Sequence, residues 1–258
     1  MLLTLLGTGN ARQVPVYNCD CMACERARRD ARHRRGPCSA LLEFGGGRWL
    51  IDAGLTDLAE RFPPGTLSGV LQTHYHADHA QGLLHLRWGE NMSIPVLGPP
   101  DPEGLADLYR HPGILDFSRT LTAFEPTALG RCTVTPVPLF HSKPTFGYVF
   151  QAEGKRFAYL TDTVGLPEET TAYLQREPLD LLVLDCSSPP SPTPPRNHND
   201  LTRALETIRS LPVRRSVLTH IGHKMDAWLM EEASALPEGV EVAYDGMVLR
   251  GAGVLRQG

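Results

Sequence analysis

The stretch Thr73-His74-Tyr75-His76-Ala77-Asp78-His79 puts three imidazoles and a carboxylate within six positions. Imidazole and carboxylate are the ligand types that suit zinc, manganese or iron. They follow the apolar run Gly69-Val70-Leu71-Gln72, which reads as a short buried strand. Four donors on so short an arc cannot converge on one ion without strain. His74 and His76 point one way in an extended segment, and Asp78 and His79 follow after a turn. The economical arrangement is two ions side by side, each completed by donors from elsewhere in the chain.

Those further donors are expected where other apolar runs end. His141 follows Pro138-Leu139-Phe140, Asp162 follows Tyr159-Leu160-Thr161, and His220 follows Val217-Leu218-Thr219. We expect one ion on His74, His76 and His141 and a second on Asp78, His79 and His220. The two oxygens of Asp162 would bridge them, and a hydroxide would complete both shells. Asp52 and Asp185 also end strands and are expected to support the site by hydrogen bonding rather than by binding metal. A second group is Cys19, Cys21 and Cys24, three of the six cysteines. Crowded cysteines in a chain without a secretion signal suggest metal rather than disulfides, and three thiolates make three-quarters of a tetrahedral zinc site. The fourth ligand must come from elsewhere. His223, three residues past His220, lies on a loop that could reach both sites. Cys38, Cys132 and Cys186 read as small buried hydrophobes.

The elements that must position these groups are short and numerous. Strands are expected at 2–6, 39–44, 48–52, 69–73, 94–97, 132–139, 147–152, 156–161, 179–184 and 216–219. A last hairpin, 240–244 with 247–249, is expected across Asp245-Gly246. Helices are expected at 25–35, 57–62, 103–109, 167–177, 200–211 and 225–236. On the helix from Asp200 to Leu211, Leu201, Ala204, Leu205 and Ile208 share one face. With no constant repeat and no dividing linker, the pattern implies one domain over 1–258. The fold class is α/β: two mainly antiparallel or mixed sheets face to face with helices outside.

The chain has 258 residues, 41% hydrophobic and 21% charged, with a net charge of −4. This acidic balance argues against a general nucleic-acid binder. The arginines at 26, 28, 29, 32, 34 and 35 form either a solvated helix face or a local anion-attracting rim. The apolar opening Met1–Leu6 is too short for a signal core, and no run reaches spanning length, so a soluble, cytoplasmic protein is expected.

Taken together, His74-x-His76-x-Asp78-His79, His141, Asp162 and His220 resemble the metallo-β-lactamase superfamily, whose fold is a four-layer αβ/βα sandwich with metal at one edge. A narrower likeness rests on Cys19-x-Cys21-x-x-Cys24, His141–Tyr148, Pro195–Leu201, Thr219–His223 and Asp226–Met230. These segments are similar to the PhnP family, the phosphoribosyl cyclic phosphodiesterases of bacterial carbon–phosphorus lyase pathways. The resemblance implies hydrolysis of 5-phosphoribosyl 1,2-cyclic phosphate to ribose 1,5-bisphosphate in phosphonate catabolism. It also implies manganese as the active-site metal with zinc possible there, a structural zinc that includes His223, and a homodimer.

In that chemistry two cations about 3.5–4 Å apart neutralise the diester and hold a hydroxide for in-line displacement. His198, outside the ligand set and between a proline-rich loop and a helix, is the candidate general acid, and the resemblance supports it. Asp78 is expected to act in catalysis as well as in metal binding. Arg196 and Lys143 are candidates for the substrate's 5-phosphate. The competing readings are a 2′,3′-cyclic nucleotide phosphodiesterase, an RNA 3′-end nuclease, a thioester or lactone hydrolase, which would share the motif but has no need of His198, and a non-enzymatic carrier or binding protein on the same fold.

Overall fold

The structure is a computed structural model and describes residues 1–193, 195–232 and 236–250. The first half builds one sheet. β1 (Leu2–Gly7), β2 (Ser39–Phe44) and β3 (Gly47–Ile51) are antiparallel, and β4 (Gly69–Leu71), β5 (Ile94–Leu97) and β6 (Leu115–Asp116) continue from β3 in parallel. The second half repeats this plan. β7 (Thr127–Leu129), β8 (Cys132–Pro138), β9 (Phe146–Ala152) and β10 (Lys155–Leu160) are antiparallel, and β11 (Leu181–Asp185), β12 (Ser216–Thr219) and β13 (Val240–Val242) continue in parallel. β14 (Met247–Arg250) returns to the first sheet and pairs with β1. Among the described residues this gives two seven-stranded mixed sheets. The α/β sandwich expected from the sequence is therefore present.

Side-chain alternation explains why the strands read as continuous apolar runs. On β11, Leu181 and Val183 join the core between the sheets, whereas Leu182 and Leu184 join the cluster beneath the outer helices. β3 and β4 do the same, with Ile51 and Leu71 facing inward and Leu50 and Val70 outward. The outer cluster of the second sheet is closed by α6 (Glu168–Gln175), α7 (Leu201–Ser210) and α8 (His223–Glu231) through Leu174, Leu201, Ala204 and Met225. On α7, Leu201 and Ala204 are buried and Leu205 and Ile208 pack against them, as the helical spacing requires. The Asp200 carboxylate caps this helix by accepting from the Arg203 amide. Leu58 and Leu83, from α2 (Leu58–Arg61) and α4 (Leu83–Leu86), cover the other sheet, with Leu108 of α5 (Ala106–Arg110).

Several expectations change. The last hairpin does not form: 240–242 pairs in parallel with β12 and 247–250 pairs with β1, so Asp245-Gly246 is a crossing between sheets. The Asp245 carboxylate accepts from the Thr8 amide and hydroxyl and from the Gly36 amide, which fixes the crossing. The helix expected over 25–35 is α1 (Met22–Arg29), stopped at Asp30, whose carboxylate accepts from the Arg32 amide to open a short 3₁₀ turn at Ala31–His33. The helix expected over 225–236 starts at His223 and reaches Glu231; 233–235 lie outside the described residues. The arginine cluster is mostly neutralised. Arg28 and Arg29 pair with Glu25, Arg32 with Asp30, and Arg26 and Arg35 with Asp226. Among the described residues no helix is long and apolar enough to cross a membrane.

Candidate functional site

The groups singled out in the sequence meet at one edge of the sandwich, where β3, β4, β10, β11 and β12 end. α3 (Ala77–Ala80) follows directly on His76, and this single helical turn carries Asp78 and His79. His141 comes from the loop between β8 and β9, and that loop is fastened to the first sheet by the Phe146 amide donating to the Thr73 carbonyl at 2.9 Å.

Asp162 is the centre of the arrangement. Its Oδ2 lies 3.2 Å from His79 Nε2 and 3.7 Å from both His74 Nε2 and His141 Nε2, and its Oδ1 lies 3.4 Å from His220 Nε2. His76 Nδ1 stands 2.9 Å from His74 Nε2 and 3.0 Å from His141 Nε2. Asp78 Oδ2 stands 3.5 Å from His79 Nε2 and 3.8 Å from His220 Nε2. The donors thus sort into two neighbouring groups that share Asp162: His74, His76 and His141 in one, Asp78, His79 and His220 in the other.

Most of the imidazoles have their other nitrogen fixed from outside the cluster. Asp52 Oδ2 accepts from His79 Nδ1 at 2.7 Å, and the same carboxylate accepts from the Thr73 amide and hydroxyl. The Asn197 carbonyl lies 3.1 Å from His141 Nδ1. Ser187 Oγ lies 2.8 Å from His220 Nδ1 and 3.2 Å from Asp185 Oδ1. Thr73 Oγ1 lies 3.0 Å from His74 Nδ1. Such outer contacts set ring orientation and tautomer. Asp52 and His220 also have φ of 58° and 60°, a left-handed backbone rare for residues with a Cβ.

The polar atoms left over point to cations. His79 Nε2, His220 Nε2 and Asp162 Oδ1 are buried and have no hydrogen-bond partner among the described residues. Buried polar atoms without partners are rare, and here the orphans face one another. Burial opposes the charge on Asp162, but His220 and His79 hold its carboxyl well below the usual range. Burial drives His74 well below the usual imidazole range, so it stays neutral and able to donate a lone pair. The residues present therefore fit a pair of divalent cations.

His198 lies at the rim of this cluster, stacked 4.7 Å from the His220 ring. Its Nδ1 is 2.9 Å from Asp185 Oδ2, and Asp185 also accepts from the Thr163 amide. Burial works against charge on His198, but Asp185 outweighs it and pushes the pKa up to about 9. Asn199 pins the segment, donating to the Asp185 carbonyl and accepting from the Gly165 amide.

The two phosphate candidates part company. Lys143 does not reach toward the cluster with a spare charge: its Nζ donates to Asp101 Oδ2 at 3.2 Å and to the Gly104 carbonyl at 3.3 Å. Asp101 is itself held by the Glu103 and Gly104 amides, so Lys143 locks a loop. Arg196 lies on the wall of a cavity beside His198. Ser187, Thr73 and the Asn197 carbonyl were not singled out from the sequence, because nothing in local pattern marks a hydroxyl or carbonyl that touches a remote imidazole.

The cysteines gather at the other side of the His220 loop. His223 Nδ1 is 3.3, 3.5 and 3.8 Å from the sulfurs of Cys19, Cys21 and Cys24. A tetrahedral zinc with Zn–S of about 2.3 Å and Zn–N of about 2.0–2.1 Å separates sulfur and nitrogen by about 3.5 Å. Burial pushes the Cys24 thiol up to about 12, so a thiolate there requires a cation. The set fits a closed Cys₃His site that joins the loop after β1 to the start of α8.

Residues 48–221 match the family model described as the beta-lactamase superfamily domain. The chain belongs to the beta-lactamase superfamily. Within that superfamily it is similar to a solved diphosphatase from the PhnP family, at 27% identity over 99% of each chain with a TM-score of 0.80. It is 26% identical over 268 residues to an octanoyltransferase of Porphyromonas gingivalis, covering 96% of this chain but only 51% of that protein, about half its length. It is also 24% identical over 313 residues to coenzyme PQQ synthesis protein B of Methylorubrum extorquens, covering 96% of this chain and 99% of the relative.

Proposed function

We propose that this superfamily member is a metal-dependent phosphodiesterase that opens 5-phosphoribosyl 1,2-cyclic phosphate to ribose 1,5-bisphosphate. The observation that carries the reading is the carboxylate–imidazole pair Asp185–His198 set at the rim of a complete seven-residue donor set around Asp162. Thioester or lactone hydrolysis needs no such proton donor, whereas a diester with a poor alkoxide leaving group does. The similarity to a PhnP-family diphosphatase supports phosphoryl chemistry in particular.

His74, His76, His141, Asp78, His79, His220 and Asp162 would hold two divalent cations, manganese by resemblance, and Cys19, Cys21, Cys24 and His223 a structural zinc. When bound, such a pair neutralises the diester and activates the attacking water. The chain's own residues then do the rest. Asp185 keeps His198 protonated and aims the ring, and His198 Nε2, which makes no hydrogen bond within the described residues, gives its proton to the departing ribose oxygen. Asp52, Ser187, Thr73 and the Asn197 carbonyl stop the ligand rings from turning.

The test is turnover of the cyclic sugar phosphate, followed by ³¹P NMR. His198→Ala should keep its metals and lose about 10²–10⁴-fold in kcat, the usual contribution of a general acid. Full-speed turnover by His198→Ala would remove the acid from the mechanism. Rapid cleavage of a precursor RNA with none of the sugar phosphate would replace the reading by a nuclease.

A further inference from the structure

We propose that the cavity beside His198 is a subsite for a phosphomonoester group carried by the substrate, built by Arg12, Arg196 and Lys224. This deepens the phosphodiesterase reading and rests on it for the identity of the substrate.

The cavity has a volume of about 390 Å³, and its walls include Asn10, Arg12, Arg196, Asn197, His198 and Lys224. No carboxylate lines it, and among the described residues Arg12, Arg196 and Lys224 form no ion pair within 4.0 Å. That contrasts with the α1 region, where Arg28, Arg29, Arg32 and Arg35 are each paired with an acid. A chain with a net charge of −4 thus gathers three uncompensated positive charges in one concavity beside its proton donor. Guanidinium forks and an ammonium suit a phosphate dianion.

The backbone adds to this. Gly222 stands at the N-cap of α8 and offers no side-chain cap, and among the described residues the first-turn amides of His223 and Lys224 have no protein acceptor. A Cβ at Gly222 would stand 2.7 Å from Asn10 Nδ2, so glycine is what lets the Asn10 amide close on the helix start. The Asn10 Oδ1 accepts from the Arg12 amide at 3.1 Å and holds the turn that presents Arg12. Arg12 and Lys224 come from the two segments that the cysteine cluster joins, so that cluster also sets the width of the subsite. His198 belongs to both the cavity wall and the rim of the donor cluster. A substrate whose leaving oxygen meets His198 can therefore place a second phosphate in the cavity.

The experiment compares the wild-type metal-loaded enzyme with Arg12→Gln/Lys224→Gln and, as a control, with Arg29→Gln on the exposed face of α1. Ribose 5-phosphate, a monoester with no phosphodiester bond to hydrolyse, is titrated as an inhibitor of bis(p-nitrophenyl) phosphate hydrolysis. The inhibition constant should rise tenfold or more in the double variant and stay at the wild-type value in Arg29→Gln. The kcat/KM preference for the phosphorylated cyclic sugar over bis(p-nitrophenyl) phosphate should fall by a similar factor. An unchanged inhibition constant would overturn the subsite. Calorimetry with ribose 5-phosphate on Asp162→Ala protein, with and without the two added glutamines, removes the cation centre from the comparison. Binding that survives Asp162→Ala and is lost with Arg12→Gln/Lys224→Gln supports the subsite. Binding abolished by Asp162→Ala alone places the probe on the cations and overturns it. If the probe binds the cavity but no diester is cut, the phosphodiesterase reading fails while the subsite stands.

Discussion

Asp185 decides what His198 can do. An imidazole pressed among buried groups would ordinarily lose its proton, yet the carboxylate 2.9 Å from Nδ1 holds the charge on the ring and pushes its pKa up to about 9. The sign of the consequence is direct. A general acid must be protonated, so kcat should fall as pH rises through that value. Asp185→Asn removes the anion and leaves burial in control, so the alkaline limb of the pH–kcat profile should move down toward the ordinary imidazole range of about 6.5. A limb that stays in place would mean another group supplies the proton. Asp52 works on a different atom: by accepting a hydrogen bond from His79 Nδ1 it leaves Nε2 facing Asp162. Asp52→Ala should lower metal affinity about 10–100-fold, measured by competition with a chelator, with the ligands themselves intact.

At the scale of elements, the loop after β1 and helix α8 are tied twice. One tie is the Cys19, Cys21, Cys24 and His223 cluster. The other is Arg35, whose guanidinium grips both oxygens of Asp226 while also donating to Thr8 Oγ1 and the Ala243 carbonyl. Both charged side chains of that pair are buried, at 9% and 5% exposure, so removing one strands the other in the interior. Asp226→Ala should destabilise the fold by about 3–5 kcal/mol in urea unfolding, and a change under about 1 kcal/mol would mean water replaces the lost partner. That these donors gather at one edge was legible in the sequence because each group of them follows an apolar run, and the strands those runs form end at one rim. What was not legible depended on contacts between distant segments. Asp245-Gly246 carries a local hairpin signal, but the Asp245 carboxylate is captured by Thr8 and Gly36, and the chain changes sheets there. Lys143 reads as a free cation until Asp101 is seen beside it. β6 and β7, of two and three residues, are too short for any periodicity to mark.

The whole molecule is two copies of one plan without a repeat in sequence. In each sheet three antiparallel pairings lead into three parallel ones, and in each the hairpin strand that begins the parallel run ends near an aspartate, Asp52 after β3 and Asp162 after β10. The same architectural position serves two different ends. Asp52 orients His79 from within the fold, and Asp162 faces the donors themselves. The donor groups consequently straddle the two halves, with His74, His76, Asp78 and His79 supplied by the first and His141, Asp162 and His220 by the second. Cations held there would bridge the sheets at one end of the core, so metal binding and folding should be linked. Chelator-treated protein should therefore show a Tm that climbs with added Mn²⁺, since a ligand at about 100 times its Kd stabilises the folded state by about 2.7 kcal/mol per site. His220→Ala should weaken that dependence by disabling one group, and Asp162→Ala should flatten it by disabling both. A Tm indifferent to metal in the wild type, with chelation verified by elemental analysis, would mean that the edge is already rigid without cations and that the two halves are held by the inter-sheet core alone.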